Sequence, residues 1–273
     1  MNKLWLNNIC SDVFGLFIGG QKTFNAPERD INLVSVPGRD GDVLYDNGRF
    51  KNVDVSYNIV LLNSKNSDET IKNIRNWIYA DTGYLRIEDT YHPDEYRLGV
   101  KSKNIEFELY NLNKFGKSTI TFNCQPQRFK KSGDYFEKQD VEIVDVIENV
   151  SGKYSCYISN DGDYPCNPEI RLKVNQNINC YLQNSDTGET INISGYIPDH
   201  VEYIDIQPEY GQIITNDGVD AYNLGFSVSR VDLQKIRLGK SGMKIEMTTS
   251  GTPPVPFDAV IPEILIKKRS WSL

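Results

Sequence analysis

Two histidines, His92 and His200, are the only ones in the 273 residues, and neither sits in an HExxH or HxH frame, which leaves a zinc site little to build on. His92 precedes Pro93-Asp94-Glu95, which reads as a polar turn between two strands rather than as a ligand or general base. Glu88-Asp89 and Glu106/Glu108 are carboxylate pairs of the kind that cleave glycosides, yet the same pattern describes the solvated face of a strand, and the bland reading is preferred. No GxSxG elbow and no phosphate loop occurs. Asp161-Gly162-Asp163 and Asp217-Gly218-Val219-Asp220 resemble pieces of calcium loops without the full ligand spacing, and hairpin turns explain both better. The five cysteines (Cys10, Cys124, Cys156, Cys166, Cys180) form no CxxC pair. Free, mostly buried thiols and a reducing folding compartment are the simplest reading, with a disulfide between two of them as the alternative. No catalytic residue, metal or cofactor is assigned, and the expectation is a protein that is not an enzyme.

The segment Val36-Pro37-Gly38-Arg39-Asp40-Gly41-Asp42 carries more information. Pro37-Gly38 suits a type II turn, with Gly38 supplying the positive φ, and Gly41 adds a second flexible point. The chain therefore reverses between Ile31–Val36 and Val43–Tyr45, leaving Arg39 and Asp40 at an exposed tip. Facing solvent, that charge pair contributes little. Set against a neighbouring subunit, it fixes register and orientation.

The elements around this tip are mostly strands. Val53, Val55, Tyr57, Ile59 and Leu61 alternate with polar residues, as do Ile105/Phe107/Leu109 and Ile120/Phe122/Cys124. Arg49–Leu62 reads as one long strand. In the second half Ile170/Leu172/Val174, Ile178/Cys180/Leu182, Val201/Tyr203 and Met243/Ile245/Met247 repeat the theme. Asn160-Asp161-Gly162, Asp186-Thr187-Gly188, Asn216-Asp217-Gly218 and Lys240-Ser241-Gly242 supply the turns. Short strands with regular turns predict antiparallel β-sandwiches. One helix is predicted at about 67–80, capped by Asn66 or Ser67, with Asp68 and Glu69 in its first turn. Its apolar stripe of Ile71, Ile74, Trp77 and Ile78 must pack on a sheet, because a dozen residues make a marginal helix alone.

Charge divides the chain. Residues 1–130 hold 17 basic and 16 acidic residues, whereas 131–273 hold 13 and 21, within a net charge of −7. Two units with different surfaces follow, with a break near Gln125-Pro126-Gln127-Arg128-Phe129-Lys130-Lys131-Ser132-Gly133-Asp134. The acidic balance argues against general and sequence-specific nucleic-acid binding. No run of about 18 apolar residues is present to span a membrane, and MNKLWLNNICSDVF is too interrupted for a signal peptide.

The order of elements resembles a known family. A short N-terminal strand, the PGRDG turn, the strand Arg49–Leu62, a helix ending near a Trp and the close Thr121-Phe122-Asn123-Cys124-Gln125-Pro126 are similar to the distal tail proteins (Dit) of long-tailed, non-contractile bacteriophages, the siphoviruses. The second half adds Asn160-Asp161-Gly162 before Pro168-Glu169-Ile170, then Asn184-Ser185-Asp186-Thr187-Gly188, Ile204-Asp205-Ile206 and Leu238-Gly239-Lys240-Ser241-Gly242. It closes on Lys267-Lys268-Arg269-Ser270-Trp271. One departure is Lys240-Ser241-Gly242, where a Gly-Asn turn is the expectation.

The resemblance implies an N-terminal ring-forming β-sandwich over 1–130, with one packed helix and a projecting hairpin. A C-terminal galectin-like antiparallel β-sandwich over 131–273 would follow it. It implies a structural virion protein of a free phage or prophage, folded in the host cytoplasm and placed at the tail tip. There it would form a homo-hexamer joining the major tail tube protein to the tail-tip (tail-associated) protein and baseplate, with a receptor-binding protein as a further partner. Only the hairpin carries over residue by residue, making Pro37, Gly38, Arg39, Asp40 and Gly41, with Val36 beside them, the candidate oligomer interface. The alternative is a carbohydrate-binding module of a tail adhesin. For that role Tyr154, Tyr157, Tyr181, Tyr196, Tyr203, Tyr210 and Tyr222 are candidate platforms, and core or sheet-face packing is their plainer role. A His-x-Asn-x-Arg cluster is missing, and Trp271 is the one Trp of the second half. A cell-wall hydrolase is the weakest reading, since no acid–base pair emerges.

Overall fold

The computed structural model describes residues 1–20, 26–62, 67–110, 115–147, 151–173, 177–198, 200–220, 225–227, 230–250 and 262–273. Asn66, Val174 and Tyr222 lie outside them. The chain is mainly β and divides into two compact units, Met1–Phe129 and Lys130–Ser272.

The first unit holds β1 (Leu4–Leu6), β2 (Ile9–Cys10), β3 (Leu16–Gly19), β4 (Arg29–Val34), β5 (Val43–Phe50), β6 (Val53–Leu61), α1 (Ser67–Ile78), β7 (Leu85–Asp89), β8 (His92–Lys101), β9 (Glu108–Tyr110) and β10 (Phe115–Cys124). Its main sheet runs β2-β1-β7-β8-β10-β6-β3, with β9 also on β10. The long β6–β10 ladder pairs Val53 with Cys124 at one end and Leu61 with Gly116 at the other. Alternation puts Val55, Tyr57, Ile59, Leu61, Ile120, Phe122 and Cys124 on the inner face, all buried. Helix α1 adds Ile74, Trp77 and Ile78 to the same core, and Trp77 lies 5.2 Å from the ring of Phe14. Each such burial stabilises by about 1.5–3 kcal/mol, which a twelve-residue helix needs in order to persist. Ile71 is only half-buried, and the helix ends at Ile78, just short of the expected 80.

Three local expectations are corrected. Arg49–Leu62 is two strands: Arg49 and Phe50 finish the β4–β5 hairpin, and the chain changes partners at Lys51-Asn52 before β6 begins. Ile105 is buried and Phe107 packs on the core, but the ladder starts only at Glu108. The turn near His92 lies at Thr90-Tyr91 instead, because Asp89 pairs with His92 across it and the Asp89 carboxylate accepts the N–H of both Tyr91 and His92 at 2.9 Å.

After β11 (Arg128–Lys130), the second unit contains β12 (Glu137–Lys138), β13 (Glu142–Ile147), β14 (Ser151–Ile158), β15 (Glu169–Lys173), β16 (Asn177–Asn184), β17 (Thr190–Tyr196), β18 (Ile204–Gln207), β19 (Gln212–Thr215), a one-turn helix α2 (Arg230–Leu233), β20 (Met243–Ser250), β21 (Glu263–Lys267) and β22 (Trp271–Ser272). Two five-stranded sheets, β12-β21-β15-β18-β19 and β13-β14-β20-β16-β17, share one apolar core and form a β-sandwich. Cys180, Ile193 and Met247 enter that core from one sheet, and Ile170, Ile206 and Ile266 from the other. Trp271 packs against its edge, stacked on Tyr164 at 4.7 Å.

All five cysteines are free, and all but the half-buried Cys10 are buried. Burial pushes the Cys124 thiol up to about 11 and those of Cys156, Cys166 and Cys180 up to about 12, far from the thiolate form. Titration of the native protein at pH 8 with a thiol reagent should therefore modify Cys10 alone, and full denaturation should release all five. Rapid labelling of Cys180 in native protein would contradict this packing.

Candidate subunit interface

The hairpin of β4 and β5 is a two-stranded sheet of its own. Its ladder pairs Ile31 with Asp46, Asn32 with Tyr45, Leu33 with Leu44 and Val34 with Val43, with an irregularity between Arg29 and Ile31. Charge pairs clamp its root. Arg29 bonds the Asp46 carboxylate, and Arg49 reaches Asp30 at 2.7 Å, a hydrogen bond that lowers the Asp30 carboxyl below its usual range. Asp46 also accepts the Gly48 N–H at 2.8 Å, where the backbone takes φ +71°.

Towards the tip the chemistry changes. Val36, Pro37, Gly38, Arg39, Asp40 and Gly41 are all exposed. The Arg39 N–H donates to the Val36 carbonyl at 3.2 Å and Gly38 has φ +81°, the geometry of a type II turn. A side chain at Gly38 or Gly41 would meet only open space, so it is backbone conformation that calls for glycine there. Leu33 (62% exposed), Leu44 (60%), Tyr45 (63%) and Val34 (51%) line the arms, and because neighbours in sequence point to opposite sides, both faces of the ribbon are apolar. Turn chemistry marks the tip but not these flanking residues. Their signal is the run Ile31-Asn32-Leu33-Val34, which breaks the polar/apolar alternation expected of a half-buried strand. An isolated two-stranded hairpin is marginal in water, and its outer edges present unpaired backbone groups. The helix residues Ile74, Trp77 and Ile78 belong to the core and are not at this surface.

The chemical candidates are dispersed. Among the described residues no group of three or more His, Cys, Asp or Glu could hold a metal. The nearest approach to a reactive cluster is Tyr57, Asp89 and His92. Tyr57 donates to Asp89 at 2.8 Å, and His92 Nδ1 lies 3.2 Å from the same carboxylate, which also holds the turn at Thr90-Tyr91. Burial raises the Tyr57 phenol well above its ordinary value. The carboxylate is thus committed to local structure. Asp89→Ala should destabilise the protein by about 2–4 kcal/mol, since it strands the buried phenol and two amides, and urea unfolding checks this. Gly162 has its N–H on the Asn160 side chain at 2.9 Å, and Gly218 takes φ +81° with its N–H on the Thr215 carbonyl, so both calcium-like fragments are turns.

No protein-family model matches the sequence, and no curated protein matches it either. The solved structures do. The Dit (gp 19.1) protein of phage SPP1, described as a paradigm of the hub adsorption apparatus in phages infecting Gram-positive hosts, superposes with a TM-score of 0.66 at 11% identity, covering 97% of this chain and 98% of that one. The chain is Dit-like in fold. A chain of the phage P2 baseplate in its activated conformation with Ca is also similar, with a TM-score of 0.52, 11% identity and coverage of 97% and 96%. The Dit likeness therefore runs through both units and rests on backbone geometry.

Proposed function

We propose that the chain is a structural protein of a siphovirus tail, one subunit of a closed ring at the distal end of the tail tube. The observation that carries this reading is the hairpin: a ribbon apolar on both faces, on a Dit-like fold, whose Leu33, Leu44 and Tyr45 stay 60–63% exposed beyond their cross-strand pairing. A head-to-tail contact repeated around an axis closes into a ring, and six copies is the number proposed. The first unit makes the ring, with Val36, Pro37, Gly38, Arg39, Asp40 and Gly41 meeting the neighbour. The second, a sandwich of galectin-like type, faces outward. A stable interface engages about 20–30 residues a side, so surfaces beyond the hairpin contribute. The ring joins the major tail tube protein to the tail-tip protein and carries a receptor-binding protein, in a virion assembled after folding in the host cytoplasm. It acts by geometry, and no catalytic step is assigned to it. Native mass spectrometry of the purified protein, alone and with its tube protein, tests this: a hexamer with a central opening in particle images supports it, and a strict monomer under both conditions overturns it.

A further inference from the structure

The carboxylates of Glu106 and Glu108 take part in no reactive cluster among the described residues, but they border a groove of about 650 Å³ in the first unit. Four adjacent strands make it. Register sets Gly19 of β3 beside Asn58 of β6, Val60 of β6 beside Lys117 of β10, and Lys117 beside Glu108 of β9. The floor is the outward side of the β6–β10 ladder, and the wall next to β10 is tied down where the Ser118 hydroxyl donates to the Glu106 carbonyl at 2.5 Å. The opposite rim is Gly19-Gly20, where no side chain stands in the way of an approaching backbone. Glu108 is already engaged. Glu106 and Lys117, one acid and one base, are exposed and make no ion pair among the described residues.

The hairpin tip is its counterpart. Arg39 and Asp40 are exposed and likewise make no ion pair among the described residues. We infer that the tip of one copy seats in the groove of its neighbour, with Arg39 on Glu106 and Asp40 on Lys117. This rests on the ring reading and names the surface that receives the hairpin. Projection and recess lie apart on each copy. The hairpin's root at Phe50 adjoins the start of β6 at Val53, whereas the groove lies at Val60, seven positions and about 23 Å further along that strand. A head-to-tail contact needs this separation, because each copy then gives its tip to one neighbour and receives a tip from the other. Two glycines keep the tip narrow, so Arg39 and Asp40 lead it into the groove. Turned about, the same tip would set Arg39 against Lys117 and Asp40 against Glu106, so the charge pattern admits one orientation. Two carboxylates to one ammonium along the groove disfavour a polyanion as its occupant.

Charge reversal in the full-length protein tests the pairing, with sedimentation velocity reading assembly alone and with the tube protein. Arg39→Glu and Glu106→Arg should each weaken association about tenfold or more. The double variant, which restores the pair with its signs exchanged, should recover to within about threefold of the parent. Asp40→Lys and Lys117→Glu form a second cycle with the same expectation, which keeps the test valid should Glu106→Arg unfold in a thermal scan. Asp163→Arg, at an exposed acid of the second unit, should change nothing. Rings indifferent to all four reversals, or double variants no better than the single ones, would overturn the docking and leave the ring standing. Loss of tube-protein binding by Arg39→Glu with the homo-ring intact would do the same, since the tip would then serve the tube. A parent that stays monomeric under both conditions overturns docking and ring together.

Discussion

Replacing Leu33 and Leu44 together by serine should abolish assembly of the proposed ring and leave a folded subunit. The two residues oppose each other across the hairpin and are 62% and 60% exposed, so the isolated subunit gains little from them. Losing their mutual contact costs only about 0.2–1 kcal/mol within the ribbon. At an interface each would be buried, and each burial is worth about 1.5–3 kcal/mol. Removing both therefore weakens every subunit contact by about 3–6 kcal/mol, or roughly 10²–10⁴-fold in association. Sedimentation velocity on the variant and the parent reads this directly, alongside a thermal scan whose midpoint stays near the parent's. Rings of the double variant at the parent's working concentration would sink the interface assignment.

The second large effect lies in the other unit. Gly242→Ala should cost about 2–6 kcal/mol, combining backbone strain of about 1–3 with overlap of a similar size. Gly242 takes φ +107°, and a Cβ there would lie 2.4 Å from the Ile158 carbonyl oxygen and 2.7 Å from the Tyr157 hydroxyl. Its own carbonyl accepts the Ser185 N–H at 3.1 Å, and the Tyr157 hydroxyl bonds the neighbouring Ser241 carbonyl, so the loop cannot shift without breaking both. Gly188→Ala is the control. Gly188 also has a positive φ, +73°, but nothing lies within 4 Å of the added atom, and its cost should be near 1–2 kcal/mol. Urea midpoints compare the two, and equal losses would show that the close approach at Gly242 contributes nothing. With whole-domain stabilities of about 5–15 kcal/mol, the larger value leaves a substantial unfolded population.

Lys240-Ser241-Gly242 is also where the sequence departs from the turn expected by resemblance. The backbone there requires glycine at 242, and the sequence supplies it. Much of the fold is readable on the same principle. Strict alternation along Val53–Leu61 and Asn177–Asn184 reports which side chains go inward, because a strand has two faces and one is dry. Alternation does not report which strand lies alongside. Arg49–Leu62 therefore looked continuous although its two parts pair with different neighbours, and Ile105 and Phe107 alternate correctly without a ladder. From the sequence Asp89 reads as a face carboxylate, since nothing local reveals that Tyr57, 32 positions earlier, donates to it. The tip of the hairpin was legible from Pro37-Gly38, a local rule. The apolar arms carried a fainter mark, because their demand for cover is settled only by what the rest of the chain leaves uncovered.

The charge pairs at the hairpin's root have a mechanical consequence. Eight residues of β5 reach about 27 Å, held at one end by Arg29–Asp46 and Arg49–Asp30 and unsupported at the other. Such a cantilever is stiff in direction at its base and compliant at its free end. In the proposed ring, copies that meet slightly out of true would still engage, the small angular error of each joint being taken up in bending rather than accumulated into an open spiral.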